Sequence, residues 1–170
     1  MKIKYSFMTV VILSFCLSGC CYFFSNVKRL PEGGERPICP CFSLAKKPYH
    51  LIEGDLIDTN AIYVSRIKKS TTDSLFIFIR FFQNGRFCGS SQPMEQFPDD
   101  DAINNLNSCY IGYYKLDKNK ITTEDFCDID GGTVTKRVGN IKDEYLEFKG
   151  FHDYYKINDS TFRFWAKPDW

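Results

Sequence analysis

Residues 61–165 carry a series of short β-type runs separated by turn residues, and this spacing limits the possible folds more than any other feature. Runs rich in β-branched and aromatic residues with turn signals between them are typical of an all-β sandwich or barrel. Most links are short, so consecutive strands are expected to be neighbours. Closing the sheet removes exposed strand edges. The pattern predicts an antiparallel up-and-down meander of about 8–9 strands forming a barrel, with runs at 61–67, 75–82, 86–91, 109–116, 121–127, 133–138, 145–148, 154–157 and 161–165.

Asn84-Gly85 is the strongest hairpin signal, because a type I′ turn needs positive φ at both central residues. A two-residue loop at this position would pair Phe82 with Phe87 and Phe81 with Cys88. Both faces of the hairpin are then apolar, and we expect both to be covered, with the aliphatic face inside. The inner face would hold Leu75, Ile77, Ile79 and Phe81 with Cys88 and Ser90. The outer face would hold Phe76, Phe78, Phe82 and Phe87 around Arg80.

Residues 92–107 form the longest connection between the predicted strands and contain Asp99-Asp100-Asp101. Side-chain oxygens and negative charge both suit a helix N-terminus, so we expect a short helical turn capped by one aspartate. That turn could close one end of the barrel as a plug or lid. The run lacks the glycine turn and the later carboxylate of a calcium loop, so no calcium site is expected.

The N-terminal residues have the layout of a secretory signal. Lys2 and Lys4 precede an uncharged apolar stretch at 5–17, and Ser18 and Gly19 then lead into Cys20. This core is shorter than the about 20 apolar residues that a transmembrane helix needs. The charge-free run continues to Val27, which leaves an uncleaved signal anchor as the alternative.

Leu17-Ser18-Gly19-Cys20 resembles the lipobox of bacterial lipoproteins. The resemblance implies cleavage before Cys20 and attachment of fatty acyl chains such as palmitate to that cysteine, and several chains together make anchoring stable. It divides the chain into a signal peptide (1–19), a lipid anchor with a tether and irregular segment (20–57), and a barrel domain (58–170). Because Cys21 rather than Asp follows Cys20, the resemblance implies the outer membrane of the cell envelope, with the domain facing the periplasm.

The barrel region resembles the lipocalin-like domains of small bacterial lipoproteins. The resemblance covers residues 58–165 and rests on the 81–86 hairpin, the Gly112-Tyr113-Tyr114-Lys115-Leu116 strand and the alternating pair of runs from Thr133 to Phe148. The Gly-x-Trp that lipocalins usually carry in their first strand is absent near Ala61. The family implies a barrel with room for a small apolar ligand.

Charge argues against nucleic acid as a partner. Removing Lys2 and Lys4 with the signal lowers the 22 basic side chains to 20, against 21 acidic ones, and the basic residues are scattered. Binding to phosphates depends on a clustered basic face. The roughly 150 residues that remain after cleavage suit one domain with its own core.

Six cysteines remain outside the signal and the anchor, and an even number in an exported chain indicates disulfides. They are Cys21, Cys39, Cys41, Cys88, Cys109 and Cys127. A three-residue loop within 117–120 would set Cys109 opposite Cys127, whereas a two-residue loop would set Cys109 opposite Asp128. Cys39-Pro-Cys41 lacks the usual redox spacing, and zinc would find only His50 and His152 as imidazoles, so a structural bridge from this pair to the barrel is favoured over a redox or metal site. Free buried thiols are the alternative to a bridge. No metal or cofactor is expected.

No catalytic constellation is present in the sequence, and we expect no enzymatic activity. Ser90-Ser91 lacks the Gly-x-Ser-x-Gly elbow, and Gly33-Gly34 and Gly131-Gly132 are not followed by the helix of a phosphate loop. Aromatic residues are the remaining candidates, because the mouths of β-barrels are recurrent ligand sites. The same rings can simply fill a narrow barrel. The candidate ligand-binding residues are Tyr110, Tyr113, Tyr114, Tyr155, Phe162, Phe164 and Trp165.

Two functions follow from the sequence. The first is a lipid-anchored, non-enzymatic envelope protein that binds a small apolar ligand. The alternative is a structural or interaction lipoprotein with a filled barrel that docks a protein of the cell envelope through its outer face. Phe76, Phe78 and Phe82 would form that docking surface if they are exposed.

Overall fold

The computed structural model describes residues 27–38, 42–68, 74–93, 97–127 and 132–170. These residues form a short 3-10 helix (Leu44–Lys46), a helix α1 (Asp100–Asn104) and the strands β1 (Val27–Arg29), β2 (Glu35–Pro37), β3 (Ile62–Lys68), β4 (Ser74–Phe81), β5 (Arg86–Pro93), β6 (Tyr110–Asp117), β7 (Lys120–Cys127), β8 (Thr133–Ile141), β9 (Tyr145–Phe148) and β10 (Tyr154–Ile157). Strands β3 to β10 pair antiparallel with their neighbours along the chain, and β10 pairs with β3. The predicted closed up-and-down barrel is confirmed.

Aromatic rings fill the end of the barrel nearest the β4–β5 turn. The ring centroid of Phe81 lies 5.3 Å from that of Tyr63, 5.7 Å from that of Phe87 and 4.9 Å from that of Tyr114. All four side chains are at most 2% exposed. The predicted aliphatic inner face of β4 is confirmed, since Ile79 and Phe81 are buried in this cluster and Ile77 packs against it.

The β4–β5 hairpin differs from the predicted one by a single residue. The N–H of Phe82 donates to the carbonyl of Arg86 over 2.9 Å, so Gln83, Asn84 and Gly85 form a three-residue loop. Gly85 has φ +74°, whereas φ of Asn84 is not positive, as in three-residue loops that end in a left-handed residue. Phe81 consequently pairs with Phe87. The predicted type I′ turn and its register are wrong.

The slip exchanges the two faces of β5, because side chains alternate along a strand. Phe87, predicted outside, lies in the interior cluster. Cys88 and Ser90, predicted inside, lie on the outer face, where Cys88 is directly opposite Arg80. The loop packs closely on the segment before β3, since a Cβ on Gly85 would lie 2.4 Å from the carbonyl oxygen of Tyr49.

The β6–β7 turn resolves the two alternatives for Cys109. Lys118 and Asn119 form a two-residue loop, and Leu116 pairs with Ile121. Lys118 occupies the first loop position with φ +57°, a conformation that hairpin turns of this length require. The three-residue loop that would set Cys109 opposite Cys127 is therefore wrong.

Helix α1 confirms the expected cap but lies on the wall of the barrel instead of closing an end. A side-chain oxygen of Asp99 accepts from the N–H of Ala102 over 2.8 Å. Ile103 is fully buried against outward-facing side chains of β3 and β4. These apolar partners on the outer face are Ile62, Val64, Phe76 and Phe78.

Residues 158–170 run along the outer face without forming a strand, so the predicted ninth run at 161–165 is wrong as a strand. Asn104 fixes this C-terminal segment: its Oδ1 accepts from the N–H groups of Trp165 and Ala166, both over 2.9 Å, and its Nδ2 donates to the carbonyl of Arg163 over 2.7 Å. Arg80 donates to the carbonyl of Ala166 over 3.3 Å. Polar contacts with a buried amide and a buried guanidinium thus replace strand pairing.

Residues before β3 also pack on the barrel, which the proline and glycine pattern did not predict. β1 and β2 pair as a two-stranded sheet, and the N–H of Gly34 donates to the carbonyl of Asn107 over 2.8 Å. The N–H of Leu51 donates to the carbonyl of Gln83 over 2.9 Å. The described part of this segment therefore covers both a wall and an end of the barrel.

No helix within the described ranges is both long and apolar enough to cross a membrane. Several predictions fall outside those ranges: the signal peptide and its helix, the lipobox with Cys20, and the cysteines at 21, 39 and 41. The side chain of Cys127 lies outside them as well.

Candidate functional site

The barrel interior holds a buried ion pair at the end away from the β4–β5 turn. Arg137 contacts Asp125 with Nη1–Oδ1 and Nη2–Oδ2 distances of 3.0 Å each. Burial raises the pKa of Asp125, and the guanidinium of Arg137 opposes that rise. Each charge is therefore neutralised by the other, although Oδ1 of Asp125 and Nε of Arg137 are buried and make no hydrogen bond among the described residues.

Two tyrosines complete this end of the interior. Burial raises the pKa of Tyr110 well above its ordinary value, and burial also raises the pKa of Tyr154. The ring of Tyr110 lies across Gly89, where a Cβ would come within 2.1 Å of it. Both phenols stay protonated near neutral pH, and the tyrosines act here as filling side chains with a polar tip.

A cavity of about 670 Å³ opens on the outer wall of the barrel, and we call it the wall cavity. It lies between the β1–β2 sheet, the 3-10 helix, β6 and the end of the C-terminal segment. Sites for small molecules are usually about 300–1,000 Å³ in volume and mostly apolar, with a few polar groups. Its lining residues are Lys28, Leu30, Arg36, Pro37, Phe42, Ala45, Lys46, Leu106, Asn107, Ile111, Tyr113, Asp169 and Trp170.

Aromatic rings form the apolar part of the wall cavity. Phe42 and Tyr113 pack with their centroids 5.0 Å apart, and the ring of Trp170 meets that of Phe82 edge-on at 6.2 Å. The hydroxyl of Tyr113 donates to the carbonyl of Trp170 over 3.4 Å. The cavity therefore offers flat apolar surfaces from three separate elements.

The charged part of the lining is mainly basic, with Lys28, Arg36 and Lys46 against the single carboxylate of Asp169. The guanidinium of Arg36 lies 5.3 Å from the ring centroid of Trp170. The buried indole N–H of Trp170 has no hydrogen-bond acceptor among the described residues. Cations that line an apolar cavity favour a ligand with negative charge or acceptor oxygens.

Arg36 also holds the floor of the wall cavity. Its Nη1 donates to the carbonyl of Cys109 over 2.7 Å, and its Nη2 donates to the carbonyl of Leu106. On the opposite side, Glu124 accepts from the hydroxyl of Ser43 and from the N–H of Leu44, the latter over 2.8 Å. These bonds join the segment before β3 to the barrel and give the cavity two supported walls.

The predicted ligand-binding residues do not share one cavity. Tyr110 and Tyr114 lie in the interior, and the hydroxyl of Tyr114 donates to the carbonyl of Phe82 over 2.7 Å. Tyr113 lines the wall cavity. Tyr155 and Trp165 are exposed, at 57% and 54%. Phe162 and Phe164 pack on the outer face beside α1.

Sequence reasoning missed the other residues that define the wall cavity, chiefly Arg36, Phe42 and Trp170. Arg36 and Phe42 belong to a segment that was interpreted as tether, and Trp170 is distant in sequence from both. Strand spacing carries no signal for this arrangement. A tryptophan beyond the last predicted strand was the one available indication of a further packed segment.

The proposed docking surface on the outer face is covered. Phe76, Phe78 and Phe82 are 6%, 1% and 7% exposed. The ring of Phe76 meets that of Phe97 at 5.7 Å, and Phe82 lies against Trp170. These phenylalanines therefore stabilise the attachment of other parts of this chain.

The remaining predicted groups do not line the wall cavity. His50 and His152 are exposed, and among the described residues no three His, Cys, Asp or Glu side chains are grouped so that they would hold a metal ion. Cys88 and Cys109 are buried free thiols. Asp99 caps α1, and Asp100 accepts from the N–H of Arg163 over 3.0 Å.

Comparison of the chain with protein-family models, with curated proteins and with solved structures finds no match. The features of the chain that bear on function are the geometry of the wall cavity and the N-terminal sequence.

Proposed function

We propose that this protein is a lipid-anchored, non-enzymatic binding module of the bacterial cell envelope, and that the wall cavity binds a small apolar ligand carrying a negative charge. The observation that carries the proposal is the wall cavity itself, which has a volume of about 670 Å³ and is lined by aromatic rings and three basic side chains. An aromatic or aliphatic acid has the matching chemistry.

The interior of the barrel is a weaker location for a ligand. Its end near the β4–β5 turn is occupied by the ring cluster around Phe81, and its other end holds the Asp125–Arg137 pair with Tyr110 and Tyr154. An interior of eight strands is just wide enough for its own side chains or one small ligand. The proposal therefore keeps the lipocalin-like expectation of an apolar ligand but moves the site to the outer wall.

Anchoring is the second part of the proposal. It rests on Leu17-Ser18-Gly19-Cys20 and on the signal-like residues that precede it. Acyl chains on Cys20 would hold the domain at the outer membrane, facing the periplasm, and would confine ligand capture to the membrane surface. A small molecule and the membrane are thus the proposed partners.

Trp165 and Trp170 are the two tryptophans of the chain, and this allows a direct test of binding. The Trp165→Phe variant of the full chain, in a nonionic detergent, keeps Trp170 as its single fluorophore beside the cavity. Titration with 1-naphthoate should quench that fluorescence with saturation, whereas 1-naphthylamine, with the same rings and no negative charge, should bind more weakly.

The matched control is the Trp170→Phe variant, whose single tryptophan, Trp165, lies outside the wall cavity and should respond little. Replacing Lys28 and Lys46 by Gln should weaken naphthoate binding by roughly tenfold, since each cation contributes a charge-assisted contact of about 0.7 kcal/mol. Equal, non-saturating quenching of both tryptophans by both compounds would contradict a specific site.

A further inference from the structure

Cys88 and Cys109 are neighbours on the outer face of the barrel, beneath the wall cavity. Gly89 of β5 pairs with Tyr110 of β6, so Cys88 and Cys109 project from the same face, diagonally across the strand pair. The thiol of Cys109 donates to the carbonyl of Leu106 over 3.4 Å, and Cys88 and Cys109 are close enough for each thiol to shift the pKa of the other. They are 2% and 1% exposed and share one apolar cluster.

Two arginines flank the thiols. Arg80 lies directly opposite Cys88 in the β4–β5 pair, and Arg36 holds the carbonyl of Cys109. Hydrogen bonding from Cys88 and the nearby guanidinium of Arg36 lower the pKa of Cys109, whereas donation to Cys109 raises the pKa of Cys88 well above its ordinary value. The thiolate is the reactive form of cysteine, and neighbouring cations favour it. Cys109 is thus the more readily ionised of the two thiols, and because both are buried an external oxidant would reach them during folding, before the covering segments pack on this wall.

The backbone at Cys109 allows the sulfurs to approach. Cys109 precedes the first residue of β6 and lies outside the ladder with β5. A disulfide needs the two Cβ atoms to come within about 3.5–4.5 Å. Closing the bond therefore requires an adjustment at this strand end, where Cys109 is not held by pairing with β5.

We propose that Cys88 and Cys109 form a disulfide that joins β5 to the start of β6 in the exported protein. The oxidant is a disulfide R–S–S–R, such as glutathione disulfide or a thiol-oxidising protein. The thiolate of Cys109 attacks one sulfur of the oxidant, forms a mixed disulfide and releases R–S⁻. The sulfur of Cys88 then attacks the sulfur of Cys109 and releases the second R–S⁻. The cysteines lose two electrons and two protons, and the oxidant leaves as two R–SH.

The bond closes a loop that includes α1 and Leu106. Asn104 of α1 holds the C-terminal segment, and Leu106 lines the wall cavity. The disulfide consequently secures one wall of the cavity, and this inference does not depend on the proposed ligand.

Trypsin makes the pairing directly measurable, because no lysine or arginine lies between Arg86 and Lys115. Cys88 and Cys109 therefore fall in one tryptic peptide, 87–115. We expect the full chain, folded in detergent with reduced and oxidised glutathione, to yield a peptide that resists alkylation and is lighter by two hydrogen atoms. Reduction should then allow the peptide to take up two alkyl groups.

The Cys88→Ala variant is the matched control: its peptide should not become lighter by two hydrogen atoms, and Cys109 should either carry glutathione as a trapped mixed disulfide or take up one alkyl group. The Cys127→Ser variant should behave as the wild type. Free alkylation of both cysteines in the oxidised wild type would overturn the proposal. A link from this peptide to one that carries Cys21, Cys39, Cys41 or Cys127 would overturn it equally.

Discussion

Arg80 is a buried cation whose contacts, among the described residues, are neutral. Its guanidinium donates to Oδ1 of Asn104 over 2.7 Å and lies between the rings of Phe82 and Phe164, at 4.7 and 4.9 Å. Burial lowers the pKa of Arg80. Carbonyl oxygens, an amide oxygen and two ring faces together stabilise the charge. Asn104 therefore supports the outer face of β4, because its amide oxygen accepts hydrogen bonds from both Arg80 and the C-terminal segment.

Replacing Asn104 by Ala should lower the free energy of unfolding by about 2–4 kcal/mol. The change removes the amide oxygen that accepts from Arg80 Nη1 and from the N–H groups of Trp165 and Ala166, so that Arg80 Nη1 keeps only the carbonyl of Ile103 and the C-terminal segment loses its attachment to α1. Denaturation in urea measures the loss. The Asn158→Ala variant, at an exposed position of the same chain, should lose less than about 0.5 kcal/mol; equal losses would contradict the role assigned to Asn104.

Tyr63 should make stability fall at alkaline pH. Burial raises the pKa of Tyr63 to about 12, although the N–H of Asp58 donates to its oxygen and acts in the opposite direction. Since the phenol ionises more easily in the unfolded chain, its contribution is complete below about pH 10 and is lost as pH rises through about 12. The loss amounts to about 2–3 kcal/mol.

The Tyr63→Phe variant removes this ionisation. Its free energy of unfolding should start about 1 kcal/mol lower at neutral pH, because the hydrogen bond from Asp58 is lost. Between pH 10 and 12 it should decline less steeply than that of the wild type. Parallel curves over this interval would show that Tyr63 does not govern the alkaline transition.

At the scale of elements, the β4–β5 loop decides which side chains face the interior. A two-residue loop would have placed Cys88 inside and Phe87 outside, and the three-residue loop does the reverse. Packing supplies the reason: Phe87 completes the ring cluster around Phe81, and a thiol in its place would leave a void. The loop is held in turn by the backbone of Tyr49 and Leu51.

Gly85 is the critical residue of that loop. Its φ of +74° disfavours any side chain, and a Cβ would also lie 2.4 Å from the carbonyl oxygen of Tyr49. We expect Gly85→Ala to lower the free energy of unfolding by about 2–4 kcal/mol, from backbone strain and displacement of the segment that covers this end of the barrel. Denaturation in urea provides the measurement.

Gly150 offers a matched control, because it has φ +79° but no atom within 4 Å of a Cβ. Gly150→Ala should lower the free energy of unfolding by only about 1–2 kcal/mol, the strain of a left-handed residue. An equal loss of unfolding free energy in the two variants would mean that the close approach of Gly85 to Tyr49 does not affect stability.

At the scale of the whole molecule, the barrel is a support for two segments that lie outside it. The segment before β3 and the segment after β10 meet on the outer wall, where Arg36 stacks on Trp170. The wall cavity lies at that junction, and neither segment forms it alone. Proposed binding is therefore a property of the assembled chain, and proposed anchoring is a property of its N-terminus.

Replacing Cys20 by Ala should abolish lipidation and release the protein from the membrane, or leave it uncleaved and mislocalised. Fractionation of cells after an alkaline wash provides the measurement. Cys21→Ala, a matched change one residue along, should leave the protein in the membrane fraction. Membrane retention of the Cys20→Ala variant after the wash would favour an uncleaved signal anchor.

Local sequence signals predicted those parts of the fold that depend on neighbours along the chain. Eight of the nine β-type runs and the aspartate cap appear where they were expected, because strand alternation and helix capping act over a few residues. The predicted β4–β5 loop was one residue too short. Its register depends on how Phe87 packs inside the barrel and not on Asn84-Gly85 alone.

Residue patterns along the chain were enough to predict the closed meander and to suggest a membrane anchor at the lipobox-like residues. The position of the candidate site became visible only in the folded structure. Arg36, Phe42, Tyr113 and Trp170 are far apart in sequence and meet because two non-barrel segments bury apolar surface on the same wall. Contacts of this kind depend on three-dimensional packing, and no periodicity along the chain encodes them.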